Sequence, residues 1–314
     1  MKSNLFKETI WQLIFELNAH GFTVADFSSC NVCFDLLAKK DKSIFVIKVF
    51  ANIDALHESQ AVELKKIAAI FNAVLVLVGL HTKKGKMKKG IIYERYGIAC
   101  IAPQTFFELI RGKEPIARYT RGKTIARLDS KKLKKLMKEK KISIEDLAMN
   151  IGISIETVWR YKHGYENVSL ANLKKLEGFF DESLAKPIEI PNYSAEITYE
   201  EEINDEALSK LHKLGSKVFV FYNAPFRAHS QSTEQKNNSL LVARCSSRTE
   251  LKKKAPRLRA SSRMLNTLPL IIGKKLKEKN VAGSAVVAEE ELLGFSRFDE
   301  FVKFVKERLG ANNE

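Results

Sequence analysis

The sequence predicts a multidomain protein in which two α/β halves flank an all-α middle, and three observations carry that expectation. A chain of 314 residues with 45% apolar side chains is long enough for two or three domains that each bury a core. Residues 130–180 place apolar side chains at helical spacing, whereas both flanks hold short unbroken apolar runs such as residues 73–78, the mark of central strands covered by helices. Charge is also blocked along the chain: residues 111–141 carry a net +10, residues 177–206 a net −9 and residues 207–263 a net +11. The implied division is an α/β domain over 1–112, a basic linker over 113–129, an all-α domain over 130–182, an acidic connector over 183–206 and a second α/β domain over 207–311. Pro115 and Gly122 with no sustained period mark the linker; Pro187, Pro191 and the acids at 200–202 mark the connector.

In the first domain an amphipathic helix over 5–19 leads to strands over 21–25, 33–37 and 43–49. A helix over 54–71, strands over 73–78 and 98–101, and a helix over 103–110 follow. The charged loop 83–89 reads as a solvated tip or an added phosphate contact.

The middle domain is the most explicit. Leu133, Leu136 and Met137 form a helical stripe. Ser143 caps a second helix with Asp146 three residues on, and Gly152 supplies the positive φ of a tight turn between crossed helices. Ser154 caps a third helix that stops at Gly164, and Ser169 caps a last one carrying Leu170, Leu173 and Leu176. This pattern resembles the phage-repressor (Cro-type) helix-turn-helix. The resemblance implies that the 154–163 helix enters the major groove of duplex DNA, with Ile155, Glu156, Trp159 and Arg160 outward and Val158 and Tyr161 inward. Arg160 suits guanine O6/N7, Glu156 cytosine N4 and Ile155 a thymine methyl. Trp159 has a second reading as a buried interdomain contact. The full expected DNA-binding set is Ser143, Ile144, Ser154, Ile155, Glu156, Thr157, Trp159, Arg160 and Lys162, with Lys131 and Lys134 on the phosphates.

The order of elements in residues 1–112 resembles the PD-(D/E)xK nuclease fold, with Asp35 and Lys48 where its acid and lysine stand. Val46 occupies the middle acid's place, and one carboxylate holds a divalent metal poorly unless Glu8 or Glu16 reaches in. Either Asp35 and Lys48 keep metal-dependent nuclease chemistry, or they are a structural ion pair in a fold that has lost it.

The C-terminal part repeats the plan: residues 17–21 match 211–215, residues 43–49 match 239–245 and residues 106–110 match 298–302. In that alignment Arg227 replaces Asp35 and Val242 replaces Val46, so the second copy is a degenerate α/β domain. The three-part arrangement is similar to archaeal helix-turn-helix transcriptional regulators, which implies a DNA-binding regulator and no enzyme.

The charge of +16 calls for an anionic partner, and double-stranded DNA is the one these motifs favour. No apolar run reaches the length of a membrane span, so no membrane partner is expected. No signal peptide is read at the N-terminus. Cys30, Cys33, Cys100 and Cys245 read as free thiols of a cytoplasmic protein, and no cofactor or metal is expected. A homodimer is expected, since one reading helix contacts only a few base pairs.

Overall fold

The computed structural model describes residues 4–190, 203–235, 238–274 and 276–310. The centre of the acidic connector, including the acids at 200–202, lies outside them. In chain order the first half holds α1 (Asn4–Ala19), β1 (Thr23–Asp26), β2 (Leu36–Lys40), β3 (Ser43–Asn52), α2 (Glu58–Ile70), β4 (Val74–Thr82), β5 (Gly85–Lys86), β6 (Ile91–Arg95), β7 (Ile98–Ile101) and α3 (Pro103–Ile110). The middle holds β8 (Ala117–Thr120), β9 (Lys123–Leu128), α4 (Ser130–Glu139), α5 (Ile144–Ile151), α6 (Ile155–His163), β10 (Val168–Ser169), α7 (Leu170–Phe180) and β11 (Ala185–Lys186). Last come α8 (Glu206–Lys213), β12 (Ser216–Val220), β13 (Ala228–Ser232), β14 (Ser239–Cys245), α9 (Arg248–Leu265), β15 (Leu268–Gly273), β16 (Asn280–Val281), β17 (Ser284–Ala288), α10 (Glu289–Leu293) and α11 (Phe298–Gly310). Among the described residues no helix is long and apolar enough to cross a membrane, and all four cysteines are free thiols.

The chain forms two compact units that cut across the linear division. One gathers Met1–Glu16, Val49–Leu56 and Val76–Pro191; the other gathers Leu17–Lys48, His57–Leu75 and Asn192–Glu314.

In the first unit the expected linker over 113–129 is a β-hairpin. Arg121 and Gly122, both at positive φ, turn the chain, and Tyr119 faces Thr124 across the ladder. β8 runs parallel to β6, and β9 receives β10 on one stretch and β11 on the next. The strands are only four and six residues long and carry three cations, Arg118, Lys123 and Arg127, so they show no apolar run from which periodicity could be read. Ala117, Ala126 and Leu128 nevertheless bury, and Tyr119 packs its ring 5.3 Å from that of Tyr93.

In the second unit the strand order β12-β13-β14-β15-β17-β16 repeats β1-β2-β3-β4-β7-β6 of the first half. Backbone pairing repeats too: the Asp35 N–H donates to Ile47 O at 2.9 Å and the Arg227 N–H to Val242 O at 2.7 Å. This register corrects the sequence alignment of the copies by one residue. Leu37 faces Val46 and His229 faces Leu241, so Leu241, not Val242, takes the place of Val46. β14 is apolar and buried without alternation from Leu240 to Ala243, and a strand buried on both faces gives the sequence nothing to fix its register.

The two copies also dock reciprocally within this unit. From the first copy, Glu63 on α2 accepts the Tyr222 and Asn223 N–H groups at 2.7 and 3.0 Å. Its neighbour Lys66 donates to Val220 O at 2.6 Å. Phe71 lies against Phe221, Phe226 and His229. From the second copy, α9 packs on β1 and β2, where Lys39 donates to Arg263 O and to the Asn266 side chain. Each copy therefore lays its crossover helix on the first strands of the other.

Replacing Glu63 by Ala strands two N–H groups next to a carboxylate-sized void, and we expect a loss of about 3 kcal/mol in urea unfolding. Burial holds His229 neutral and lowers its pKa from 6.5 to about 4. The unfolded chain thus binds this proton first as pH falls. His229 should cost the folded state nothing above pH 6.5 and up to about 3 kcal/mol by pH 4. Between pH 6.5 and pH 4 the parent should therefore lose up to about 3 kcal/mol of stability relative to His229→Phe in unfolding curves, and a separation that stays constant across that range would contradict this.

Candidate nucleic-acid interface

α5 and α6 form from local signals alone. The Ser143 Oγ accepts the Asp146 N–H at 3.0 Å while the Asp146 carboxylate accepts the Ser143 backbone N–H at 3.4 Å, which closes a capping box. Gly152 ends α5 at φ 66°, where a side chain would be strained. The Ser154 Oγ then accepts the Thr157 N–H at 3.1 Å and starts α6, and Gly164 ends it at φ 76°. Leu147, Ile151, Val158 and Tyr161 bury between α5, α6 and their neighbours, with Leu133, Leu173 and Leu176 completing the core.

That packing leaves Ile155, Glu156, Trp159 and Arg160 on the outer face, as the helical spacing requires. Of the other expected contacts, Ser143 and Ser154 are exposed at the caps, Ile144, Thr157 and Lys162 are half-buried, and Lys131 and Lys134 are exposed on α4. The reading of Trp159 as a buried contact is overturned: it is 44% exposed. Its ring stacks 4.4 Å from His163 and 5.5 Å from Tyr165, which makes an aromatic ladder at the end of α6. Arg160 is engaged, donating to Glu156 at 2.7 Å with Glu166 at 3.8 Å. An i, i+4 pair of this kind was readable in the sequence; Glu166, beyond the helix, was not.

A compact helix-turn-helix with its second helix exposed, built onto an α/β frame, defines the class: a protein carrying a Cro-type DNA-binding domain. Residues 132–185 match the family model of the Cro/C1-type HTH DNA-binding domain, and residues 6–116 match that of the PD-(D/E)XK superfamily domain. Relatives span nearly the whole chain. A Pyrococcus furiosus protein named "Putative HTH-type transcriptional regulatory protein" is 33% identical over 93% of this chain and 94% of its own. A Methanocaldococcus jannaschii protein of the same description is 30% identical over the same shares, and a Pyrococcus horikoshii one is 38% identical over 68% of this chain and 70% of its own. The chain belongs to this family of archaeal HTH-type transcriptional regulatory proteins. No solved structure matches it.

The superfamily pattern of the first half implies a divalent metal, and the residues present do not fit one. Asp35 is fully buried, with its Oδ1 3.3 Å from the Lys48 ammonium, which also donates to Val32 O at 3.3 Å. The neighbouring position that needs a carboxylate holds buried Val46. Of the acids on α1, Glu16 pairs with Arg111 at 2.6 Å and Glu8 is exposed. In the second copy Arg227, in the place of Asp35, donates to Phe221 O at 3.0 Å and lies over the Tyr222 ring. Its cross-strand neighbour on β14 is apolar Ala243, adjacent to the Val242 that accepts the Arg227 N–H.

Because the Ser154 hydroxyl satisfies a first-turn N–H of the reading helix, Ser154→Ala should lower stability by about 1 kcal/mol in urea unfolding.

Proposed function

We propose that the chain is a sequence-specific DNA-binding transcriptional regulator that acts as a homodimer and has no nuclease activity. The observation that carries this reading is the helix-turn-helix geometry itself: a rigidly capped α6 that presents Ile155, Glu156, Trp159 and Arg160 outward beside a stretch of net +10. Lysines on α4 supply sequence-independent attraction to the phosphate backbone, and side chains on α6 supply discrimination. Glu156 and Arg160 stand side by side as an acceptor and a donor fork, the pair of groups that a cytosine and a guanine edge demand. Dimerisation supplies a second half-site, because one reading helix spans too few base pairs for tight recognition. The names of the archaeal relatives support the regulatory part of the reading. Ser143, Ile144, Ser154, Thr157 and Lys162 belong to this interface as backbone and edge contacts around α6.

Selection of bound duplexes from a random pool, followed by titration across salt, tests the reading. The affinity should fall steeply as salt rises, and Arg160→Ala should lose about tenfold or more on the selected sequence while keeping non-specific binding. No enrichment of any sequence would overturn it. Incubation of linear and branched DNA with magnesium or manganese should leave the DNA intact; cleavage that disappears in Asp35→Ala would restore the nuclease reading.

A further inference from the structure

The hairpin that replaces the expected linker brings a second set of cations to the helix-turn-helix. β11 pairs with β9 so that Lys186 stands directly opposite Arg127. Like charges directly opposed across a ladder destabilise it, and both side chains are exposed rather than drawn into packing. Asp129 gives little relief: it lies 4.0 Å from Lys186, and the same oxygen already accepts the Lys131 and Lys132 N–H groups at 3.1 Å each.

Arg127 and Lys186 form one wall of a groove of about 420 Å³, with Lys131 and Lys134 of α4 on another and His163 and Gly164 at the end of α6 closing it. The single acid on its lining, Glu166, faces Arg160 at 3.8 Å. Among the described residues Arg127, Lys131 and Lys134 have no ion pair, the pairs beside them including Lys132 with Glu182 and Lys186 with Asp129. Four cations thus converge on one concavity whose only acid is turned to another partner, at the foot of the reading helix.

We infer that this groove seats a backbone phosphate of the bound duplex, with Arg127 and Lys186 as its contacts from outside the helix-turn-helix proper. The inference rests on the DNA-binding reading above and extends it. An oxyanion between the two opposed cations removes their repulsion, and a phosphate held there anchors the duplex at the C-terminal end of α6. Such contacts position the DNA and carry no sequence information.

The test is a salt titration of duplex binding by the parent, Arg127→Ala, Lys186→Ala and the double variant, on a selected and an unrelated duplex, with thermal unfolding of each free protein. Each single variant should weaken both duplexes by the same factor, and the double variant should make the slope of log affinity against log salt shallower by about one. The free variants should melt no lower than the parent, because repulsion has been removed. Parent binding with unchanged affinity and slope in the double variant would overturn the groove and leave the DNA reading standing. A loss confined to the selected duplex would overturn it as well, since that is base readout. A parent that binds no duplex would overturn both readings. If inorganic phosphate raises the melting temperature of the parent while the double variant keeps full DNA binding, the groove takes free phosphate and the duplex assignment fails.

Discussion

The pairing of β9 on both its edges is the constraint on which the first unit depends. One strand of six residues joins β8, and through it β6, to the two short strands that flank α7. The backbone of the helix-turn-helix is therefore hydrogen-bonded into a sheet at Val168 and Ser169, inside its own sequence, and again at Ala185 and Lys186. Further bonds tighten the same junction: the Asp129 N–H donates to Leu184 O and the Ile188 N–H to Pro115 O, each at 2.8 Å. A DNA-reading domain mounted this way has little freedom to swivel against β6, in contrast to one carried on a charged tether. The side chains of α4 and α6 are fixed relative to the cations of β9 and β11, and that fixed relation makes a converging basic groove possible.

The second unit shows what became of the duplicated α/β plan. Its two copies use the crossover helix as a mutual clamp, and the clamp on one side is polar: a buried carboxylate holds two backbone N–H groups and a buried ammonium holds a carbonyl. Groups of this kind are costly to bury unless every partner is in place, so they specify one docking geometry. The acids and lysines that the PD-(D/E)XK pattern would devote to a metal are absent or turned to structural pairing. Asp35 meets Lys48, and Arg227 meets a carbonyl and a tyrosine ring.

What was legible in the sequence follows the range of the signals. Ser143, Gly152, Ser154 and Gly164 act on the residues next to them, and each sits in the structure as its spacing required. Most of the element order of the first half was legible from unbroken apolar runs, but β5 and β6, between the strands read at 73–78 and 98–101, were missed; the duplication was legible from matching segments in the same order. The register of the second copy was not, because a strand apolar on both faces reads the same when shifted by one. The β8–β9 hairpin was hidden for another reason. Its strands are short, basic and half-exposed, and the pairings that make them strands, to β6, β10 and β11, come from residues up to sixty positions away. The turn at Arg121 and Gly122 was the single local clue. Arg127 and Lys186 could not be brought together without that ladder. Trp159 escaped for a related reason: its ring partner Tyr165 lies past the glycine that ends the helix.

The central claim is that residues 117–128 are a structural ladder and not a tether. Native-state amide hydrogen exchange reads this directly, because ladder amides exchange only on opening whereas those of a tether exchange freely. The account predicts that the amides of β8 and β9, which pair with β6, β10 and β11 as well as with each other, are protected to a degree close to that of the α5 and α6 core. Exchange of this whole segment at the rate of an unstructured chain, with α5 and α6 still protected, would contradict it.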